Sequence, residues 1–187
     1  MNTNNLIKTI SLVAALACSS SLVADELKIE PFIGVEYGIS QSKTEHKSYS
    51  ASSPQMKTEK LTQTDTRKNF KIGAYIEENH RVYVYSYIEN SLNASYDYIF
   101  YKNNGLRLYG GGNIGYINNA SNGYEQKGMT AGVDAGLLYK IHSKVDLETG
   151  MRALLLSPKN ESSFGTNYYS DETKSTYNLF VGLNYNF

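Results

Sequence analysis

With 187 residues, 41% of them hydrophobic and 19% charged, the chain has the size of one ordinary domain and enough apolar side chains for a sizeable core. Eighteen basic residues balance eighteen acidic ones, which argues against a nucleic-acid partner, because that needs an excess of basic charge. Seventeen Tyr, fifteen Gly, three Pro and no Trp form an unusual mixture, since tyrosine favours strands and glycine ordinarily weakens them.

Residues 1–24 have the layout of a secretory signal peptide. Lys8 stands in the n-region, an apolar run follows from Ile10 to Ala17, and small residues lead to Ala24 before Asp25. Cleavage after Ala24 leaves residues 25–187 as one domain. Cys18 closes the apolar run, but Ala15, Leu16 and Ala17 before it match a lipid-attachment pattern poorly. It is the only cysteine, so the cleaved chain has no disulfide and no thiol chemistry. Past the leader no apolar stretch reaches the roughly 18 residues of a transmembrane helix.

From Glu30 onward the chain alternates with period two, the signature of strands. In the first segment Ile33, Val35, Tyr37 and Ile39 share one face, and Gly34, Glu36, Gly38 and Ser40 the other. The second sets Phe70, Ile72, Ala74 and Ile76 against Lys71, Gly73, Tyr75 and Glu77. In the third, near 81–89, Val82 and Val84 compete with Tyr83, Tyr85 and Tyr87, and the pattern leaves its facing open. The fourth puts Tyr96, Tyr98 and Phe100 opposite Ser95 and Asp97. The fifth sets Leu106, Leu108, Ile114 and Tyr116 against Arg107, Tyr109, Gly111, Asn113 and Gly115. The sixth runs Met129, Ala131, Val133, Ala135, Leu137 and Tyr139 against Gly132, Asp134, Gly136 and Lys140. The seventh opposes Val145, Leu147, Met151, Ala153 and Leu155 to Asp146, Glu148, Gly150 and Arg152. The eighth carries Tyr177, Leu179, Val181, Leu183, Tyr185 and Phe187 on its apolar face.

Eight strands joined alternately by short links, near "ENH", "KNNG" and "HSK", and by others near 42–66, 89–94, 117–127 and 157–173 predict an all-β, eight-stranded antiparallel up-and-down transmembrane β-barrel, with tight turns at the periplasmic end and loops outside. A soluble barrel alternates too, with its apolar set turned inward. The glycines favour the membrane: ten of the fifteen fall on the polar face, where a narrow, crowded lumen needs them. The charges agree. Glu36, Glu77, Asp97, Asp134, Asp146 and Glu148 are expected to share the lumen with Lys71, Arg107, Lys140 and Arg152, because charge on the lipid face costs about 2–4 kcal/mol at mid-membrane. Tyr37, Tyr116, Tyr139, Tyr177 and Tyr185 suit the interfacial girdles.

The final strand ends on an aromatic residue with apolar residues at every second position before it: Tyr177, Leu179, Val181, Leu183, Tyr185 and Phe187. This resembles the carboxy-terminal assembly signal of bacterial outer-membrane barrels. Residues 25–187 resemble the compact eight-stranded outer-membrane family that includes OmpX, the OmpA transmembrane domain and opacity-type surface proteins. That resemblance implies outer-membrane lipid, lipopolysaccharide and the barrel-assembly machinery as partners.

Candidate chemistry is sparse. His46, His80 and His142 have no metal-ligand spacing, and neither metal nor cofactor is expected. His142, Ser143 and Glu148 invite comparison with lipid-deacylating barrels, but the first two fall in a turn and Glu148 points into the lumen, so a non-enzymatic barrel is expected. Eight strands leave a lumen that side chains fill, which favours an ionic plug over a diffusion pore. The Ser, Thr and Lys-rich stretch 42–66 and the exposed aromatics Phe164, Tyr168 and Tyr169 are the candidate surface for host or extracellular contacts.

Overall fold

The computed structural model describes residues 27–50, 53–87, 91–121, 124–156, 159–164 and 167–187. The leader expected at 1–24 lies outside them. Nine strands follow in order: β1 (Ile29–Ser50), β2 (Ser53–Ile76), β3 (His80–Tyr87), β4 (Ser91–Asn103), β5 (Leu106–Ser121), β6 (Tyr124–His142), β7 (Val145–Leu156), β8 (Lys159–Phe164) and β9 (Asn167–Asn186). Eight of them close a ring, each antiparallel to its neighbours, with β7 pairing β9 and β9 returning to β1. The Phe187 amide donates to the Pro31 carbonyl at 3.1 Å at the seam. Closure leaves each strand of the ring a neighbour on both sides within the barrel, which is what lets strands cross a lipid core.

The tight turns stand where expected, at 77–79, 104–105 and 143–144. At Asn104–Gly105 both residues are left-handed (φ 46° and 83°), and the sequence supplies the Asn-Gly pair that such a hairpin favours. The β2–β3 turn does the same with Glu77 and Glu78 (φ 55° and 59°), residues for which that backbone costs about 1–2 kcal/mol each.

The strand facings follow the alternation. Val35, Tyr37, Ile39, Phe70, Ile114, Val133, Met151 and Leu179 are exposed on the outer wall, while Glu36, Lys71, Asp97, Asp134 and Glu148 are buried inside. The strand left open is settled: Arg81, Tyr83 and Tyr85 point into the lumen and Val82 points out. Charge decides it, since the opposite facing would present Arg81 to lipid.

The long links differ from expectation. Residues 42–50 and 53–66 continue β1 and β2 as paired strands, in register from Ser42↔Gln63 to Ser48↔Lys57, where a loop was expected. β9 follows β1 upward to Tyr49↔Tyr168, and β8 adds to β9 from Lys159↔Glu172 to Phe164↔Asn167. A sheet in the order β2-β1-β9-β8 therefore rises on one side of the barrel, carrying β1 roughly 30 Å past Ser40 at about 3.4 Å per residue. Likewise β5 and β6 pair through most of 117–127, as far as Ser121↔Tyr124. Apolar alternation ends at the lipid boundary because both faces of a projecting strand meet water. The ladder does not end there.

Candidate functional site

Three layers fill the lumen. At the turn end Phe32, Tyr75, Ile99 and Leu138 are buried together, with the Phe32 and Tyr75 rings 5.0 Å apart. These side chains come from β1, β2, β4 and β6 and close the turn-end mouth beside the Arg107–Asp146 pair.

Above them lies a belt of ion pairs. Glu148 on β7 is its hub: it pairs with Lys71 of β2 and with Arg81 of β3 at 3.0 Å. Glu148 also accepts hydrogen bonds from Tyr109 and from Asn184, each at 2.7 Å. Lys71 also reaches Glu36 at 2.9 Å, and Asn69 donates to the same carboxylate at 2.9 Å. The Arg81 Nε donates to Asp97 at 2.8 Å, and its guanidinium lies 4.3 Å over the Tyr109 ring. Arg152 bridges Glu36 (3.5 Å) and Asp134 (3.6 Å) and stacks 4.1 Å over Tyr85. Nearer the turn end Arg107 pairs with Asp146, which also accepts from Asn186 at 2.7 Å. Buried charges are tolerated only when paired and hydrogen-bonded, and here the partners come from every wall of the barrel. The glycines make room: a Cβ on Gly34 would stand 2.8 Å from the Lys71 side chain.

The third layer is polar. Ser40 and Asn178 face each other across β1 and β9, and Ser95 and Asn113 across β4 and β5, all buried. Both amide ends of Asn113 and Asn178 lack hydrogen-bond partners.

Of the residues expected in the lumen, Glu36, Lys71, Asp97, Asp134, Asp146, Glu148 and Arg152 are brought together, with Arg107 at the rim. Two are not. Glu77 is exposed, because the strand turns at that residue. Lys140 is exposed at the turn-end mouth, opposite Asp146. Arg81 is the member that alternation missed. Tyr177, Leu179, Val181, Leu183, Tyr185 and Phe187 line the outer wall of β9, and the expected girdle tyrosines Tyr37, Tyr116 and Tyr139 point outward with them. Phe164, Tyr168 and Tyr169 lie on β8 and β9, but their side chains fall outside the described residues.

At the turn-end mouth a cavity of about 400 Å³ is lined by Lys28, Glu78, Lys102, Arg107 and Lys140 among others. Glu78 binds Lys28 at 2.5 Å and Lys102 at 3.4 Å. The hydrogen bond from Lys28 holds the Glu78 carboxyl below its ordinary range, and Glu78 in turn raises the Lys28 ammonium. His142 and Ser143 touch at 3.3 Å in an exposed turn, while Glu148 is wholly occupied inside. The three do not meet, so no nucleophile, base and acid are assembled there.

An apolar, uncharged outer wall around a charged, ion-paired interior is the inverse of a water-soluble barrel and defines a transmembrane β-barrel. No known family model and no curated protein sequence matches the chain. Among solved structures, the chain is similar to the outer membrane protein OprG from Pseudomonas aeruginosa, with a TM-score of 0.59 and 13% identity over 84% of this chain and 96% of that one. It is also similar to the outer membrane protein AlkL, at a TM-score of 0.57 and 12% identity over 84% and 90% of the respective chains. Neisserial surface protein A matches at a TM-score of 0.49 and 17% identity over 81% and 97%. The fold is that of the small eight-stranded outer-membrane barrels.

Proposed function

We propose that the protein is a plugged, non-enzymatic barrel of the bacterial outer membrane whose function is surface contact through its raised β-sheet. The observation that carries this is the projection of β1, β2, β8 and β9 as one paired sheet beyond the apolar belt. A paired sheet presents side chains in fixed positions at little ordering cost, as contact surfaces on rigid scaffolds do. Among the described residues the outer edge of β2 from Ser53 to Lys68 pairs with no strand, leaving its main chain available to an extended partner. Phe164, Tyr168 and Tyr169 are the aromatic anchors proposed for the opposite margin. Host or extracellular surface molecules are the partner class.

Residues 1–24 serve as the export signal in this reading. The outward row ending in Phe187 serves as the signal to the assembly machinery. Lys43 and Lys68, exposed next to the apolar rows of β1 and β2, are the proposed contacts for lipopolysaccharide phosphate, while the tyrosine girdles face lipid. Neither cofactor nor metal is required.

Replacing residues 45–62 by an Asn-Gly turn tests the contact role. The shortened protein is expected to keep its heat-modifiable gel mobility, while cells displaying it lose at least roughly tenfold in adhesion to a matrix-coated surface, the scale of losing an anchor worth about 1.4 kcal/mol. Undiminished adhesion with the barrel intact refutes the role.

A further inference from the structure

The raised sheet has one long open margin. From Ser53 to Lys68, β2 pairs with β1 alone among the described residues, because β3 begins its pairing with β2 at Asn69. Every position from Met56 to Thr66 on this margin is exposed, Met56 at 60% and Leu61 at 56%. An open strand of this length is a template for another strand, and its charges decide which strand fits.

A second copy in the same membrane fits poorly. The two β2 strands then point the same way at the same height, and each side chain on the margin meets its own counterpart. Lys57, Glu59, Lys60, Asp65 and Lys68 would all face like charge, which destabilises a strand pair.

A copy in a facing membrane is the other case. A half-turn about an axis normal to the sheet brings the second β2 in antiparallel and makes one continuous sheet of the two. Residues opposite each other share a face of the sheet, so the axis falls between one residue and its own copy. The middle of the open margin lies at residues 60 and 61. Centred on Lys60, the pairing sets two ammonium groups against each other. Centred on Leu61, it sets Leu61 against Leu61, Lys60 against Thr62, Glu59 against Gln63, Thr58 against Thr64 and, twice, Lys57 against Asp65. Arg67 and Lys68 fall opposite positions 55 and 54, which carry no charge. Like charges then never stand directly opposite. Lys57 reaches Glu59 of its own strand at 3.2 Å and Asp65 accepts from Gln63 at 3.1 Å, so the new pair adds a carboxylate to a cation that already has one. The two Lys60 lie diagonal across the axis, and each keeps Glu45 of β1 at 3.9 Å.

Building on the contact role proposed for the raised sheet, we infer that β2 pairs edge to edge with β2 of a second copy carried by a facing cell. The two raised sheets become one across the gap between the outer membranes, with Leu61 at its centre and a Lys57–Asp65 pair on either side.

Clustering of cells that display the full-length protein, with cells lacking the barrel as baseline, tests this. Wild-type cells are expected to cluster. Asp65→Lys and Lys57→Asp each turn both Lys57–Asp65 contacts into like-charge pairs, so cells carrying either variant alone are expected to cluster at least about tenfold less. Mixed in two colours, the variants are expected to cluster again as two-coloured aggregates, because every lysine then meets an aspartate on the other copy. If either variant loses the heat-modifiable mobility of a folded barrel, Leu61→Glu, which sets two carboxylates on the axis, takes its place and is expected to disperse the cells. Wild-type cells as dispersed as the baseline overturn the self-pairing; if they still adhere to a matrix-coated surface, the contact role stands without it. Two folded variants that cluster alone like wild type also overturn it, as does a mixture of them that stays dispersed.

Discussion

Glu148→Ala is expected to lower the unfolding free energy of the barrel by about 3–5 kcal/mol, the usual cost of removing one partner from a buried ion pair. No other carboxylate in the lumen is tied to as many walls. Glu148 binds Lys71 of β2, Arg81 of β3, Tyr109 of β5 and Asn184 of β9. Its loss leaves two buried cations leaning on one remaining carboxylate each, Glu36 and Asp97. Urea-induced unfolding in lipid vesicles measures the change. A loss below about 1 kcal/mol, the range of exposed surface pairs, shows that water and not the protein solvates the belt.

Val181→Arg is the second large effect. Val181 is 48% exposed on the outer wall, between Tyr177 and Tyr185 on β9 and opposite Tyr37 of β1 and Thr149 of β7. It stands between the two aromatic margins, close to mid-membrane, where a guanidinium costs about 2–4 kcal/mol. The same urea titration in vesicles reads this penalty. In a water-soluble barrel an arginine at so exposed a position stays within about 0.5 kcal/mol of wild type, so the measurement separates a lipid-facing wall from a solvated one.

Much of the barrel is legible in the alternation because lipid imposes a stricter rule than water: outward positions in the belt exclude charge. The facing of β3 is the instructive gap. Hydrophobicity alone ranks Tyr83 and Tyr85 beside Val82 and Val84, but Arg81 breaks the tie, since only one facing keeps its charge out of lipid. The same rule would have added Arg81 to the lumen. Glu77 and Lys140 fail in the other direction, because Glu77 lies in a turn and Lys140 at the open mouth of the barrel, where alternation no longer means burial. The strands over 42–50 and 53–66 differ from the expected loop for a related reason. Its apolar signal disappears where both faces meet water, yet Thr58, Thr62, Thr64 and Thr66 recur at even positions, a β-branched pattern that fits a strand. That Asp97 and Asp134 flank Gly111 is not legible in the sequence, since it depends on the register of three strands.

The central claim is that this barrel is closed by its own ion pairs. Conductance of the refolded protein in a planar lipid bilayer at neutral pH tests it most directly. Confirmed insertion with no stepwise current is the expected result, because the buried side chains of Phe32, Tyr75, Ile99 and Leu138 and the ion-pair belt above them occupy the lumen. Large, reproducible current steps from the inserted protein contradict it and make transport its function.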